Sequence, residues 1–395
     1  MSSQPLKIVA DAHIWGVKPA FSSLPGFDVD LHVVESREIT HELLVDADVL
    51  LTRSSTRVDA NLLKGTSVRF SATATIGDDH YDKEWLEDNG IAWANAAGSS
   101  TGSVIEYMLT ALLELHVQGR ITIPDTTIGI IGVGRIGSVL ATTCKAMGLE
   151  LLLCDPPRER AEGEDEFASV DRLLSEADVI TLHTPLIREG MDKTLHLIDS
   201  AFLSRFRGRG IINAARGSCV DNNALADWLD EDAGRFAILD CWEGEPRVSR
   251  RLLAHPQVVI ATPHIAGHSL DGKAANTQYA YNALCRYLQV EPEWDMEMAL
   301  PLSLAVELSA CTADPWYDTH TAAMMLYPIT RDVETMKGWT ELSGDALAKS
   351  FGEYRRHYPV RRSWDHIEIE VSNGKVPELL EMLIHVMRSH LLGSC

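Results

Sequence analysis

The sequence predicts an α/β protein of doubly wound parallel sheets followed by a small α+β module. Three observations predict it. Short apolar runs alternate with helical stretches over the first hundred residues, a second series of six such runs starts near Thr127, and the pattern breaks around Pro292 and Pro301. In order, the first series places strands at 6–10, 29–34, 49–52 and 69–74. Residues 104–117 carry apolar side chains at three- and four-residue spacing, interrupted by Glu106 and Glu114, which predicts a long, mostly buried helix connecting two domains. The second series places strands at 127–131, 151–154, 179–182, 210–213, 237–239 and 258–261, with a helix at 138–147 after the first of them. A helix over 271–290 follows, and Glu291-Pro292-Glu293 reads as a linker. The tail mixes helices at 343–354 and 376–388 with one alternating strand at 365–371.

Composition limits what such a protein does. Over 395 residues, 45% are apolar and 23% charged, so the chain is expected to fold throughout. Fifty-seven acidic against 35 basic residues give a net charge of −22, which disfavours nucleic acid and anionic lipid surfaces as partners and suits a saline cytoplasm. Seven cysteines without a C-x-x-C pair suggest reduced, cytoplasmic thiols. Neither a signal-peptide core at the amino end nor an apolar run of the roughly 18 residues a membrane span needs is expected.

The segment 127–137, TIGIIGVGRIG, sets Gly132, Gly134 and Gly137 at G-x-G-x-x-G spacing between a strand and a helix. The first glycine suits a tight turn, the second the close approach of a pyrophosphate, and the third helix-to-sheet packing. Asp155 closes the next strand 18 residues past Gly137, where a carboxylate accepts from both hydroxyls of an adenine ribose and favours NAD over NADP. Arg158 can pair with a 2′-phosphate, but the reading preferred is that it caps or solvates the Pro156-Pro157 turn.

Three later segments each follow a predicted strand: NAARG (213–217), DCWEGEP (240–246) and TPHIAG (262–267). The carboxyl ends of such strands line the ligand crevice, so Arg216, Glu245 and His264 are expected to converge there. They form a working set for oxidising an alcohol beside a carboxylate: the arginine grips the carboxylate, the histidine takes the hydroxyl proton, and the glutamate holds the histidine. No metal is expected, because His183 and His196 form no ligand pattern.

These motifs, together with LLCDPPR (152–158), TLHTPL (181–186) and RRSW (361–364), resemble the D-2-hydroxyacid dehydrogenase family over nearly the whole chain. The resemblance implies Arg216, Glu245 and His264 as catalytic residues, and Arg135, Ile136, Asp155, Thr184, Ala214, Asp240 and Gly267 as NAD contacts beside the glycines. Ser54, Thr75 and His268 would meet the substrate. The implied architecture is a discontinuous flavodoxin-like substrate domain (1–98 with 271–290), a Rossmann NAD-binding domain (99–270) and a dimerisation domain (291–395), making a homodimer. The implied reaction is NAD-dependent oxidation of 4-phosphoerythronate at C2 for pyridoxal phosphate synthesis. Alternatives are a phosphoglycerate- or glyoxylate-type dehydrogenase and a non-enzymatic NAD-sensing protein. Two departures from the family pattern stand out: Ser99-Ser100 where a Cys-Asn pair is common, and His268 where a tyrosine is common. For a phosphorylated acid, Arg53 and one of Arg361 or Arg362, reaching in from a partner subunit, are the expected phosphate ligands, whereas Arg355 and Arg356 read as a solvated helix end.

Overall fold

A computed structural model describes residues 4–163, 166–302, 304–308, 312, 314–371 and 376–392. The chain divides into two compact units, Met1–Ser100 with Ser269–Leu302, and Thr101–His268 with Ser303–Cys395.

The first unit holds strands β1 (Leu6–Asp11), β2 (Val29–Val34), β3 (Val49–Thr52), β4 (Phe70–Thr73) and β5 (Ala92–Ala94). All pair in parallel in the order β2-β1-β3-β4-β5, the flavodoxin-like order. Both faces of this sheet are covered, which is why its strands read as continuous apolar runs. Ile8, Val49 and Leu51 pack with Phe21 and with Ala280, Tyr281 and Leu284 of the helix Leu270–Leu288, while Val9 and Leu50 pack on the other face with Leu44, Leu63 and Leu86. Ser269 starts that helix by accepting the Gly272 N–H at 2.9 Å. The stretch expected as a free linker stays with this unit, because the Tyr281 hydroxyl accepts the N–H groups of Glu293 (3.1 Å) and Trp294 (3.2 Å), and the Trp294 ring stands edge-on to Tyr281.

The second unit holds β6 (Thr127–Ile131), β7 (Glu150–Cys154), β8 (Val179–Leu182), β9 (Gly210–Asn213), β10 (Phe236–Leu239) and β11 (Val258–Ala261). They form a parallel sheet ordered β11-β10-β9-β8-β6-β7. The strand order reverses between β6 and β8, so the loops leaving these two strands flank the topological switch point where such sheets bind ligands.

The tail does not form a unit of its own; residues 303–395 cluster with the nucleotide-type sheet. The helix Thr101–Val117 explains this. Nearly all its side chains are buried, and it packs with Pro315–Leu326 and Glu378–Leu392 of the tail as well as with Arg135–Ala146. The tail adds β12 (Leu304–Leu308), paired in parallel with β13 (Ile367–Val371). A parallel pair needs a long crossover, supplied here by the helices Pro315–Leu326, Ile329–Lys337 and Gly344–Arg356.

Candidate active site

The glycine loop meets each demand of a dinucleotide cradle. Gly132 has φ +88°, and a Cβ there would lie 2.8 Å from the His183 carbonyl oxygen and the Thr184 methyl, so the β6 and β8 loops touch only because this residue is glycine. A Cβ on Gly137 would stand 2.0 Å from the Gly132 oxygen, which fixes the helix Arg135–Ala146 against the turn. A Cβ on Gly134 would meet nothing within 4 Å; it would project into open space at the amino end of that helix, where no side chain caps the first N–H groups. This is the room and the partial positive charge that a pyrophosphate takes. Arg135 is exposed on the first helical turn and Ile136 is half-buried beside it.

Asp155 follows β7 and accepts from Val133 N at 2.8 Å and from Arg158 N at 3.2 Å, tying the glycine loop to the helix Pro156–Glu162. Arg158 neither caps the turn with its side chain nor stands ready for a 2′-phosphate. Its guanidinium donates to the Val133 carbonyl and to both carboxylate oxygens of Glu162, so its charge is already matched. Burial pushes the His183 imidazole down to about 4, leaving it neutral at the rim of the cradle.

Arg216, Glu245 and His264 sit in the loops after β9, β10 and β11, and these loops are stapled together. Asn213, at the end of β9, donates to the carbonyls of Arg216 (3.1 Å) and Cys241 (3.3 Å). Gly217 lies so close to the next loop that a Cβ would be 2.0 Å from the Trp242 oxygen. The Trp242 indole N–H donates to Thr262 O at 2.9 Å. Asp240 is 1% exposed and accepts from the Thr262 hydroxyl (2.7 Å), Ile265 N (2.7 Å) and Ala266 N (3.0 Å). Burial raises its carboxyl above the ordinary value against the pull of His264 and these donors.

Within this frame the His264 Nδ1 meets the Glu245 carboxylate at 2.5 Å. Burial alone would raise the Glu245 carboxyl, but His264 and Arg355 hold it below the ordinary glutamate value, so it is ionised at neutral pH. His264 has φ +54°, a left-handed backbone that a histidine adopts only where its surroundings impose it. Arg216 is half-buried, with Nη1 donating to Ala215 O at 2.8 Å. Ala214 is buried, and Thr184, Gly267 and His268 are half-buried; the Tyr358 ring stands edge-on to His268 at 6.1 Å.

The remaining expected substrate residues belong to the first unit. Arg53 is half-buried and donates to His13 O at 3.3 Å, and Ser54 beyond it is exposed after β3. The Thr75 hydroxyl, after β4, lies 2.7 Å from that of Thr73 and donates to Gly77 O at 2.9 Å. Ser99 donates to Ala96 O at 2.6 Å and to the Asn276 side chain, whereas Ser100 is buried.

The tail arginines depart from expectation. Arg361 is buried: it donates to the equally buried Glu106 at 3.2 Å and to Ala266 O at 3.0 Å, and lies 4.1 Å from the centre of the Tyr327 ring. Glu106 also accepts Trp364 N at 2.8 Å, so the RRSW segment neutralises a core carboxylate. Arg362 is 3% exposed. Both arginines, expected to reach a phosphate site in a partner subunit, are instead enclosed within this chain. Arg356 pairs with Glu353 on the surface, as a solvated helix end does. Arg355 instead turns inward and donates through Nε to His264 O at 3.1 Å. Among the described residues no group of three or more His, Cys, Asp or Glu is placed to hold a metal, and no helix is long and apolar enough to cross a membrane.

Comparison with known proteins agrees with this geometry. Residues 114–266 match the family model described as D-isomer specific 2-hydroxyacid dehydrogenase, NAD binding domain. The chain is 37% identical to the erythronate-4-phosphate dehydrogenase of Pseudomonas syringae, over 98% of this chain and 100% of the relative. It is 38% identical to the protein of that name from Chromohalobacter salexigens, over 94% and 95%. Among solved structures, a D-lactate dehydrogenase from Aquifex aeolicus complexed with NAD and lactic acid shares the fold, with a TM-score of 0.58 at 23% identity over 71% of this chain and 95% of that one. NAD is therefore the cofactor, and the chain belongs to the erythronate-4-phosphate dehydrogenase family of D-2-hydroxyacid dehydrogenases.

Proposed function

We propose that this enzyme oxidises 4-phospho-D-erythronate at its C2 hydroxyl to 2-oxo-3-hydroxy-4-phosphobutanoate, a step of pyridoxal phosphate synthesis. The observation that carries the chemistry is the His264–Glu245 pair, stapled beside Arg216 at three neighbouring strand ends. Arg216 binds the substrate carboxylate through its guanidinium, oriented by the bond to Ala215 O. With Nδ1 engaged by Glu245, His264 has Nε2 left to accept the C2 hydroxyl proton. The ionised Glu245 stabilises the imidazolium that results. NAD, when bound, supplies the hydride acceptor. Gly132, Gly134, Arg135, Ile136, Gly137, Asp155, Thr184, Ala214, Asp240 and Gly267 are the residues that hold it in this reading. Asp240 does so chiefly by shaping the 262–266 loop, where its three accepted bonds lie. Arg53, Ser54, Thr75 and His268 bind the phosphorylated acid.

The same reading makes the protein a cytoplasmic homodimer associated through its tail. Supporting this are the free, buried thiols of Cys144, Cys154, Cys219, Cys241 and Cys285, and the exposed apolar side chains of Tyr317, Met325 and Val360. The test is a purified protein supplied with NAD and, in turn, 4-phosphoerythronate, 3-phosphoglycerate and glycerate, followed at the NADH absorbance. The highest kcat/KM is expected for 4-phosphoerythronate. A preference for 3-phosphoglycerate would overturn the substrate assignment, and sedimentation as a monomer would overturn the dimer.

A further inference from the structure

The loop that carries His264 is held on two sides. Its N–H groups at Ile265 and Ala266 are taken by Asp240, which directly follows β10. Two of its carbonyls are taken from the tail: His264 O by Arg355 and Ala266 O by Arg361. Both arginines lie outside the segment matched by the dehydrogenase family model, so this second grip comes from residues the NAD-binding module does not contain.

The two grips differ in kind. Arg361 is enclosed and also neutralises Glu106, so it belongs to the core. Among the described residues Arg355 forms no salt bridge. It is half-buried in the last turn of Gly344–Arg356, its guanidinium carbon lies 5.9 Å from the centre of the Phe351 ring, and its hydrogen bond goes to the one residue of the loop with a left-handed backbone. A guanidinium in this place does two things at once. It fixes the His264 carbonyl, and with it the peptide plane that sets the direction of the imidazole. It also places a positive charge near Glu245, a carboxylate that burial would otherwise push toward neutrality. The groups that act on Glu245 are His264, Arg355 and the Trp242 N–H; Glu245 in turn acts on the buried Cys241 thiol, as do Asp240, Arg216 and Arg355.

We infer that Arg355 is a positioning residue of the dehydrogenase reaction: the tail helix uses it to hold the His264 main chain in the turn that aims the imidazole at Glu245. The inference rests on the assignment of His264 and Glu245 as the proton-transferring pair, and it does not depend on which 2-hydroxy acid is the substrate.

The test compares wild type, Arg355→Gln and Arg355→Lys, each with the best 2-hydroxy acid found for wild type and with an unphosphorylated analogue. Arg355→Gln is expected to leave NAD affinity unchanged and to lower kcat about 10–100-fold on both acids, the scale of a small misplacement at a reacting centre. The acid limb of its kcat/KM profile should move to higher pH, because the Glu245 carboxylate loses a neighbouring cation. Arg355→Lys keeps the charge but not the fixed direction of the donor, so its limb should stay near the wild-type position while kcat still falls. Unchanged kcat and limb in Arg355→Gln would overturn the inference, as would a KM increase confined to the phosphorylated acid, which would make Arg355 a substrate ligand. If Arg355→Gln does not fold, Arg355→Lys decides: reduced kcat at a wild-type limb supports the inference, and wild-type kcat overturns it. A wild-type enzyme inactive on 4-phosphoerythronate but active on another 2-hydroxy acid would defeat the substrate assignment alone, leaving this test intact.

Discussion

Two glutamates of one loop each pair with a histidine, and the proposed mechanism gives only one of these pairs a proton to transfer. His264 pairs with Glu245 and His196 pairs with Glu243, two residues earlier in the same segment. Both histidines have left-handed backbones, with φ +54° and +52°. The difference lies in their supports. His264 is held at its N–H by Asp240 O, at its carbonyl by Arg355, and through the next two N–H groups by the Asp240 carboxylate. Glu243 spends its second oxygen on Asn222 N at the start of the helix Asn222–Glu231, and His196 N is bonded to Ser218 O. The second pair thus joins a helix start to a surface loop. A histidine and a carboxylate in contact are not yet a catalytic device; the rigidity and charge around them make one.

The most direct way to break this comparison is to remove each imidazole. His264→Gln should lower kcat about 10²–10⁴-fold with NAD binding intact, whereas His196→Gln should stay within about threefold of wild type. Comparable losses in steady-state assays would show that the pairs had been assigned the wrong way round.

Removing the acids should have a smaller effect in the same order. Glu245→Gln is expected to cost about 10–100-fold in kcat and Glu243→Gln almost nothing. Glu245 also leaves a mark on stability. Its carboxyl is held below the ordinary value in the folded protein, so the stabilisation it contributes is complete above the unfolded-state pKa of about 4.3 and is lost as pH falls through the depressed folded value. The urea midpoints of wild type and Glu245→Gln should therefore differ at neutral pH and converge in acid. A gap that persists at low pH would contradict the ionised assignment.

A nucleotide variant sharpens the contrast from outside both pairs. Asp155→Ala should weaken NAD several-fold and narrow its advantage over NADP while kcat at saturating cofactor stays close to wild type. An unchanged NAD/NADP ratio in titrations would mean that Asp155 serves only the Val133 and Arg158 N–H groups it already accepts. The smallest effect is expected at Cys241, near Glu245. It is 1% exposed, and burial holds its thiol well above the ordinary value. Mass spectrometry after brief alkylation should find it unmodified in the native protein and modified in urea.

What was legible in the sequence follows from how local each signal is. The six strands of the second sheet, the glycine cradle and Asp155 are short-range patterns, and Arg216, Glu245 and His264 could be read because each closely follows an apolar run. β5 escapes a sequence reading because three residues, Ala92–Ala94, leave too little pattern, and β12 because its parallel partner β13 lies far along the chain. The arginines of the tail are illegible in sequence for a related reason. A basic pair at a helix end looks the same whether it faces water, as Arg356 does, or a carbonyl 91 residues away, as Arg355 does. Nor does sequence show that Arg361 is enclosed against Glu106, 255 positions earlier. Asn213, Gly217 and Trp242 sat inside recognised motifs, but their stapling of one loop to the next appears only in three dimensions.

The interleaving of the two units bears on how the chain matures on the ribosome. The first unit's sheet is complete by Ala94, yet one of its faces is covered by Ala280, Tyr281 and Leu284, which are synthesised far later. At about 5–20 residues per second, the emerging sheet waits on the order of ten to forty seconds for that helix. During this interval Ile8, Val49, Leu51 and Phe70 have only the partial cover that Val17, Ala20 and Phe21 give, which makes the nascent amino-terminal segment a client for chaperones that bind exposed apolar surface and exposes it to premature aggregation. Joining the 269–302 segment directly behind residue 100 in a rearranged gene would abolish the delay, and a higher soluble yield of that unit would reveal its cost.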